Sequence, residues 1–219
     1  MLSYEQSVIV GLVILGYAVI CALFKYKQFD KPTRVLAWLM LITLINERVA
    51  DYYAHNGGNN FISYGVFNPI QLLIIALYFN YSIPFFKSNK IGIYIGIAGC
   101  ILGFINYYVV QSPAKMNTYF LLAESIIVVA MSLIAFYNML QSDNDMRLRN
   151  NPHFWFTAIF LFFWTATFLF WGLYDFLIEQ IKVNAGLLHL SLILINVITY
   201  IGFGTVFLLY PKMKTANEQ

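Results

Sequence analysis

Residues 45–60 read INERVADYYAHNGGNN, and they fall where an apolar helix should be completing its passage through a lipid bilayer. Asn46, Glu47, Arg48, Asp51 and His55 are all carried in that stretch. A charged side chain at the centre of a spanning helix costs about 2.5–3.5 kcal/mol on insertion scales. Such groups turn toward protein or water, and they mark function. Glu47, Asp51 and His55 recur at every fourth residue and so share one helical stripe. Arg48 is rotated from Glu47 by roughly 100°, and it reaches Asp51 at i+3.

The rest of the chain sets this stretch in a membrane. Of its 219 residues, 60% are hydrophobic, 18% aromatic and only 11% charged, with a mean hydropathy of +0.69. Soluble domains carry about 25% charged residues, so the composition is that of a multi-pass membrane protein. The net charge of +3 does not point to nucleic acid, because the basic residues sit in short connections between apolar runs. That distribution is a topology signal. The two cysteines, Cys21 and Cys100, both lie inside apolar runs and read as small buried hydrophobes rather than a disulfide. No Lys or Arg occurs in residues 1–6, whereas Lys25 and Lys27 follow the first apolar run. A cleaved signal peptide has the reverse arrangement, so the first run is expected to stay as a helix.

A bilayer core of about 30 Å needs roughly 20 apolar residues per helix. Spans are expected at residues 7–24, 33–54, 61–83, 91–110, 118–140, 154–178 and 187–210, with Pro or Gly punctuating several of the connections. The expected fold is all-α: one membrane domain over residues 1–219, a seven-transmembrane-helix bundle. Lys25, Lys27, Lys31, Arg34, Lys87, Lys90, Arg147, Arg149, Lys212 and Lys214 fall on one side of such a bundle, leaving Arg48, Lys115 and Lys182 for the other. The positive-inside rule then places the N-terminus out and the C-terminus in, with the bacterial inner membrane as the expected location.

Within the fourth span, Gly92, Gly96, Gly99 and Gly103 form a stripe that lets helix backbones approach closely. Packing within the chain or dimerisation would both use it. The sixth span is crowded with aromatics from Trp155 to Trp171, suited to interfacial belts at its ends and to packing in its middle. Asp51 and Asp175 close the second and sixth spans, and Asn68 and Asn196 occupy matching parts of the third and seventh. Together with acids near the starts of the first and fifth, these give a faint 3+1+3 parallel repeat, a plan some transporters use.

At a rise of 1.5 Å per residue, Glu47, Asn68 and Glu124 come to rest roughly 10 Å below the outer surface on three different spans. Gln71 and Asn196 lie deeper, and Asp51, His55, Asp175 and His189 lie near the outer rim. The expectation is an outward-facing polar pocket holding Glu47, Arg48, Asp51, Asn68, Gln71, Glu124, Asp175, His189 and Asn196. A structural polar network joining helices would use the same groups. Pro69, following Asn68, kinks its helix and frees a carbonyl about a turn earlier. His153 falls on the inner side and outside this pocket.

Zinc hydrolysis would need H-x-x-x-H or H-E-x-x-H spacing, and neither occurs. There is no G-x-S-x-G elbow and no phosphate-binding Gly-rich loop. No lysine lies within residues 187–210, which removes a retinal Schiff base there. No catalytic residue, metal or cofactor is therefore assigned.

Glu47 near the end of the second span, Glu124 in the fifth, and Pro152-His153-Phe154-Trp155 entering the sixth resemble a group of small, uncharacterised seven-helix bacterial membrane proteins associated with signalling. Helix count, orientation and size are also similar to those of SWEET-type sugar transporters, but their Pro-Gln pair is interrupted here as Pro69-Ile70-Gln71. These resemblances and the pocket imply a sensor-like protein that binds a small or amphiphilic ligand from outside. A small proton-coupled transporter and a membrane-embedded lipid hydrolase stand as alternatives. The expected partners are membrane lipids, a small-molecule ligand, and a cytoplasmic or membrane signalling protein, with no nucleic acid.

Overall fold

In an apolar run longer than a bilayer is thick, every backbone N–H and C=O must be bonded within the segment, and the helix is the one open form that does this. The computed structural model describes residues 4–57, 59–113, 116–141, 148–179 and 185–217. The described residues form eight α-helices and no strand. These are α1 (Tyr4–Lys25), α2 (Lys31–Gly57), α3 (Phe61–Ser82), α4 (Pro84–Asn89), α5 (Ile91–Ile105), α6 (Thr118–Gln141), α7 (Pro152–Glu179) and α8 (Ala185–Asn217). Among the described residues, five segments are long and apolar enough to cross a membrane: Gln6–Gln28, Phe61–Ser82, Ile91–Val110, Thr118–Gln141 and Leu190–Met213. This is the make-up of a multi-pass integral membrane protein. At 27 residues α2 is as long, but its apolar run is diluted by the charged stretch at 47–51.

Polar side chains just before the helices start them. Asp30 Oδ1 accepts the backbone N–H of Thr33 at 3.0 Å, with Pro32 in the first turn of α2. Asn151 Oδ1 accepts the N–H of His153 at 2.9 Å, with Pro152 as the first residue of α7. Proline suits these positions because its missing N–H would have no intrahelical partner there.

Three boundaries differ from the sequence expectation. Residues 84–89, expected as a connection, form the short helix α4, with Pro84 opening it and Lys90 ending it in the left-handed region at φ 54°. The fourth span leaves α-geometry after Ile105 and finishes as a π-turn over Asn106–Val110, where the Gln111 N–H reaches the Asn106 carbonyl at 2.7 Å. Proline does not end α8, which continues through Pro211 to Asn217.

Packing follows α1 against α2 and α8, α2 against α3, α3 against α5, and α7 against both α6 and α8. The glycine stripe of α5 is buried in the α3 contact. A Cβ on Gly92 would stand 2.6 Å from the Ala76 carbonyl oxygen, and one on Gly103 would stand 2.7 Å from Pro69 Cγ. The stripe is thus used up inside the chain.

The connections at residues 26–30 and 83–90, the start of α7 and the end of α8 gather at one end of the bundle, together with Lys25, Lys27, Lys31, Arg34, Lys87, Lys90, Arg149 and Lys212. We call this the basic end, and the other, with the α2–α3 and α5–α6 connections, the far end. Between them lies a buried aromatic layer. Phe156 packs on Phe207 at 5.2 Å, Phe160 on Phe203 at 5.3 Å, and Phe79 on Phe160 at 5.8 Å between ring centroids.

Candidate functional site

The charged stretch of α2 divides between two surfaces. Glu47 turns inward, and both its carboxylate oxygens accept the Tyr64 hydroxyl of α3 at 3.1 Å. Tyr200 of α8 stands within electrostatic reach of the same carboxylate. One residue earlier, Asn46 Oδ1 accepts the Ser63 hydroxyl at 2.7 Å. Arg48 faces the other way. Its side chain is 63% exposed and pairs with Asp51 at 3.6 Å, as i+3 spacing requires, while His55 Nδ1 approaches Asp51 at 3.3 Å. Arg48 also borders an open groove of about 510 Å³, otherwise lined by Leu44, Ile45, Val49, Tyr52 and Tyr53. The arginine therefore lies on the outside of the bundle.

Glu124 has different surroundings. It is fully buried in α6, and neither carboxyl oxygen has a hydrogen-bond partner. Its neighbour Ser125 is satisfied by the Leu121 carbonyl at 2.7 Å. Asn46 Nδ2, Tyr107 Oη and Asn117 Nδ2, toward the far end, and Thr199 Oγ1, near the middle of α8, are also buried without a partner. Leaving one such group unpaired costs about 1–3 kcal/mol, so each is a point at which an added donor or acceptor would be stabilising. Asn68 is buried, while Gln71 and Asn196 are half-buried. No hydrogen bond joins Glu47 to Glu124. The side chains of Asp175 and His189 lie outside the described residues.

The π-turn closes the far end with a polar cluster that the sequence reading missed. Asn106 Nδ2 donates to Gln111 Oε1 at 2.8 Å and to Asn117 Oδ1, and Gln111 Nε2 donates to the Thr118 hydroxyl at 3.1 Å. The runs Asn106 to Gln111 and Asn117-Thr118 showed only polarity beside a proline. The bonding depends on the π geometry.

A second missed cluster lies at the basic end. His153 Nε2 and Asp30 Oδ2 are 2.9 Å apart, and His153 Nδ1 faces the Tyr78 hydroxyl at 3.3 Å. The Asp30 N–H donates to the Tyr210 hydroxyl at 3.2 Å. The hydroxyls of Ser82 and Thr157 approach Tyr78, and that of Thr33 approaches Tyr210. Burial pushes the Asp30 carboxyl up, but the hydrogen bond and charge of His153 and the donors of Thr33 outweigh it and hold the carboxyl at about 2. The sequence signal for this cluster was the pair of capping sites, Asp30 ahead of Pro32 and Asn151 ahead of Pro152, which fix Asp30 and His153 at helix starts. Among the described residues, no three of His, Cys, Asp and Glu converge as a metal site requires.

Compared with known proteins, the chain matches no family model, no curated protein and no solved structure.

Proposed function

We propose that the chain is a seven-crossing protein of the bacterial inner membrane, N-terminus out and C-terminus in, that acts as a sensor or receptor. In this reading α2 and α7 cross alongside the five more apolar segments, and the basic end faces the cytoplasm under the positive-inside rule. The packing order, α1–α2–α3 and α6–α7–α8 with α5 laid on α3, is compatible with a 3+1+3 plan. The ligand is small or amphiphilic and enters from the far end. It meets Glu124 as its main polar contact, with Glu47, Asn68, Gln71 and Asn196 as further ones. A partner protein at the basic end carries the response.

One observation carries the proposal: Glu124 is wholly buried with both oxygens unpaired. A carboxyl group in that state calls for a donor, so the ligand class is one bearing an ammonium or hydroxyl group. Arg48 and Asp51, on the outer face of α2, fit better as an interfacial pair that meets lipid headgroups. The aromatic layer favours a sensor over a transporter, because it interposes dry packing between the two polar regions.

The test is thermal stabilisation of the purified protein by a panel of cationic, hydroxylated and anionic amphiphiles. Cationic or hydroxylated members should raise the melting temperature by several degrees, and Glu124→Gln and Glu47→Ala should each reduce that gain. If no member stabilises, or if the anionic ones do so equally in the variants, the proposal fails.

A further inference from the structure

The basic-end cluster brings together side chains from the α1–α2 connection, α3, α7 and α8, and its hydrogen-bond directions depend on a single proton. When His153 is neutral, the Nε2–H donates to Asp30 Oδ2, and the bare Nδ1 can only accept from the Tyr78 hydroxyl. When His153 is protonated, both ring nitrogens donate. Tyr78 must then accept at its oxygen and turn its own O–H elsewhere. Ser82 Oγ and Thr157 Oγ1, buried without a partner, stand beside it as the available acceptors. One proton on the imidazole therefore reverses the bond to Tyr78, which is 0% exposed, while the bond to Asp30, whose side chain is 35% exposed, keeps its direction.

Other charges nearby are turned away from this chain. Lys31 lies over the Tyr81 ring at 4.0 Å and Arg34 over the Tyr26 ring at 5.6 Å. Arg149 is exposed and offers only its backbone carbonyl, which accepts Trp155 Nε1–H at 2.9 Å. From α6 the contact at this level is apolar, Phe136 against Phe154 at 5.2 Å. From α8, the Tyr210 oxygen is held by the Asp30 N–H, and Lys212 is exposed two residues further on. Among the described residues, the one ion-pair partner of Asp30 is His153.

We propose that His153, held between Asp30 and Tyr78, is a proton-binding site loaded from the basic end. Its protonation sets the direction of the Tyr78 hydroxyl and the strength with which the α1–α2 connection is fastened to α3, α7 and α8. The proton comes from water, and no other bond is made or broken beyond the exchange of hydrogen bonds. Fastening is stronger in the protonated state, because the bond to the ionised Asp30 carboxylate then joins opposite charges and becomes an ion pair. This inference stands independently of the ligand proposed at the far end.

The experiment uses the full chain in phospholipid nanodiscs with ¹⁵N-labelled histidine, taken from pH 5 to pH 8.5. The chain's one Pro–His step, Pro152-His153, assigns the resonance by paired proline and histidine labelling even where His153→Gln fails to fold. Both ring nitrogens of His153 should titrate in one step. Backbone amides at 26–33, corrected for intrinsic exchange, should be about two- to fivefold better protected in the protonated state. Asp30→Asn should abolish that change in protection. Tyr78→Phe, which removes only the hydroxyl, should leave the titration in place while altering the Nδ1 shift of the neutral state. The proposal is overturned if His153 keeps one protonation state throughout, if protection at 26–33 does not follow its titration, if Asp30→Asn preserves the change, or if Tyr78→Phe leaves Nδ1 unmoved.

Discussion

Asp30 has two roles, as the cap of α2 and as the carboxylate that meets His153, and its titration links them. Its carboxyl is held at about 2, below the value of about 3.9 for an aspartate in an unfolded chain. The shift is downward, so the stability it contributes is complete above about pH 4 and drains away as pH falls toward 2. Because the side chain is 35% exposed, solvent screening holds the contribution to the order of 1 kcal/mol. Melting curves at pH 6 and pH 3 should show this loss in the native protein and a smaller one in His153→Gln, which lacks the charge that depresses Asp30. Equal losses in the two would detach His153 from the effect. A second residue-scale expectation concerns Glu47. Tyr64→Phe removes the donor to both its oxygens and leaves a half-buried carboxylate unpaired, at a cost of about 1–3 kcal/mol. Urea or thermal denaturation of Tyr64→Phe should register that cost, and a neutral result would mean that Glu47 is satisfied elsewhere.

Helices show most directly what a sequence can and cannot display. The apolar runs were legible because a helix that meets lipid must be apolar over its whole length, and every expected span contains the core of an observed helix. The ends were less legible, because they turn on local bonds. Pro84 opens a helix rather than closing one, and Pro211 is absorbed within α8. Lys90 takes φ 54° so that α4 can stop and α5 begin, a geometry that costs a non-glycine residue about 1–2 kcal/mol. Lys90→Gly should therefore raise stability by about 1 kcal/mol, which thermal denaturation would show. The glycine stripe on α5 announced a close helix contact without naming the partner, and α3 supplies it. Gly92→Val would drive side-chain atoms into the Ala76 carbonyl and Asn80 Cβ, each 2.6 Å from the first added carbon. A loss of about 1–3 kcal/mol is expected, with the oligomeric state unchanged by light scattering. A change of oligomer at constant stability would instead place the stripe between chains.

At the scale of the whole molecule, the two polar regions differ in how far they could be read in advance. The Arg48–Asp51 pair was legible because three residues of one helix fix the geometry. Asp30 and His153 are 123 residues apart, and no periodicity links such a pair. Only the packing of α7 and α8 against the α1–α2 connection brings them together. The same packing places the aromatic layer of Phe79, Phe156, Phe160, Phe203 and Phe207 between Glu124 and the basic-end cluster. Close-packed aromatic rings exclude water, so the bundle has two polar regions and a dry floor between them. In the proposed orientation this floor makes a definite accessibility pattern. Single cysteines would be introduced in a background where Cys21 and Cys100 are replaced by alanine. Positions 60 and 112 should react with a membrane-impermeant thiol reagent added outside intact cells. Positions 27, 87 and 149 should react only after the membrane is opened. A cysteine at Phe160 should stay unreactive from either side, because it sits in the floor. If position 160 is labelled from one side as readily as a loop residue, water traverses the layer and the transporter reading displaces the sensor. If positions 27 and 60 are labelled from the same side, the orientation drawn from the basic residues is wrong.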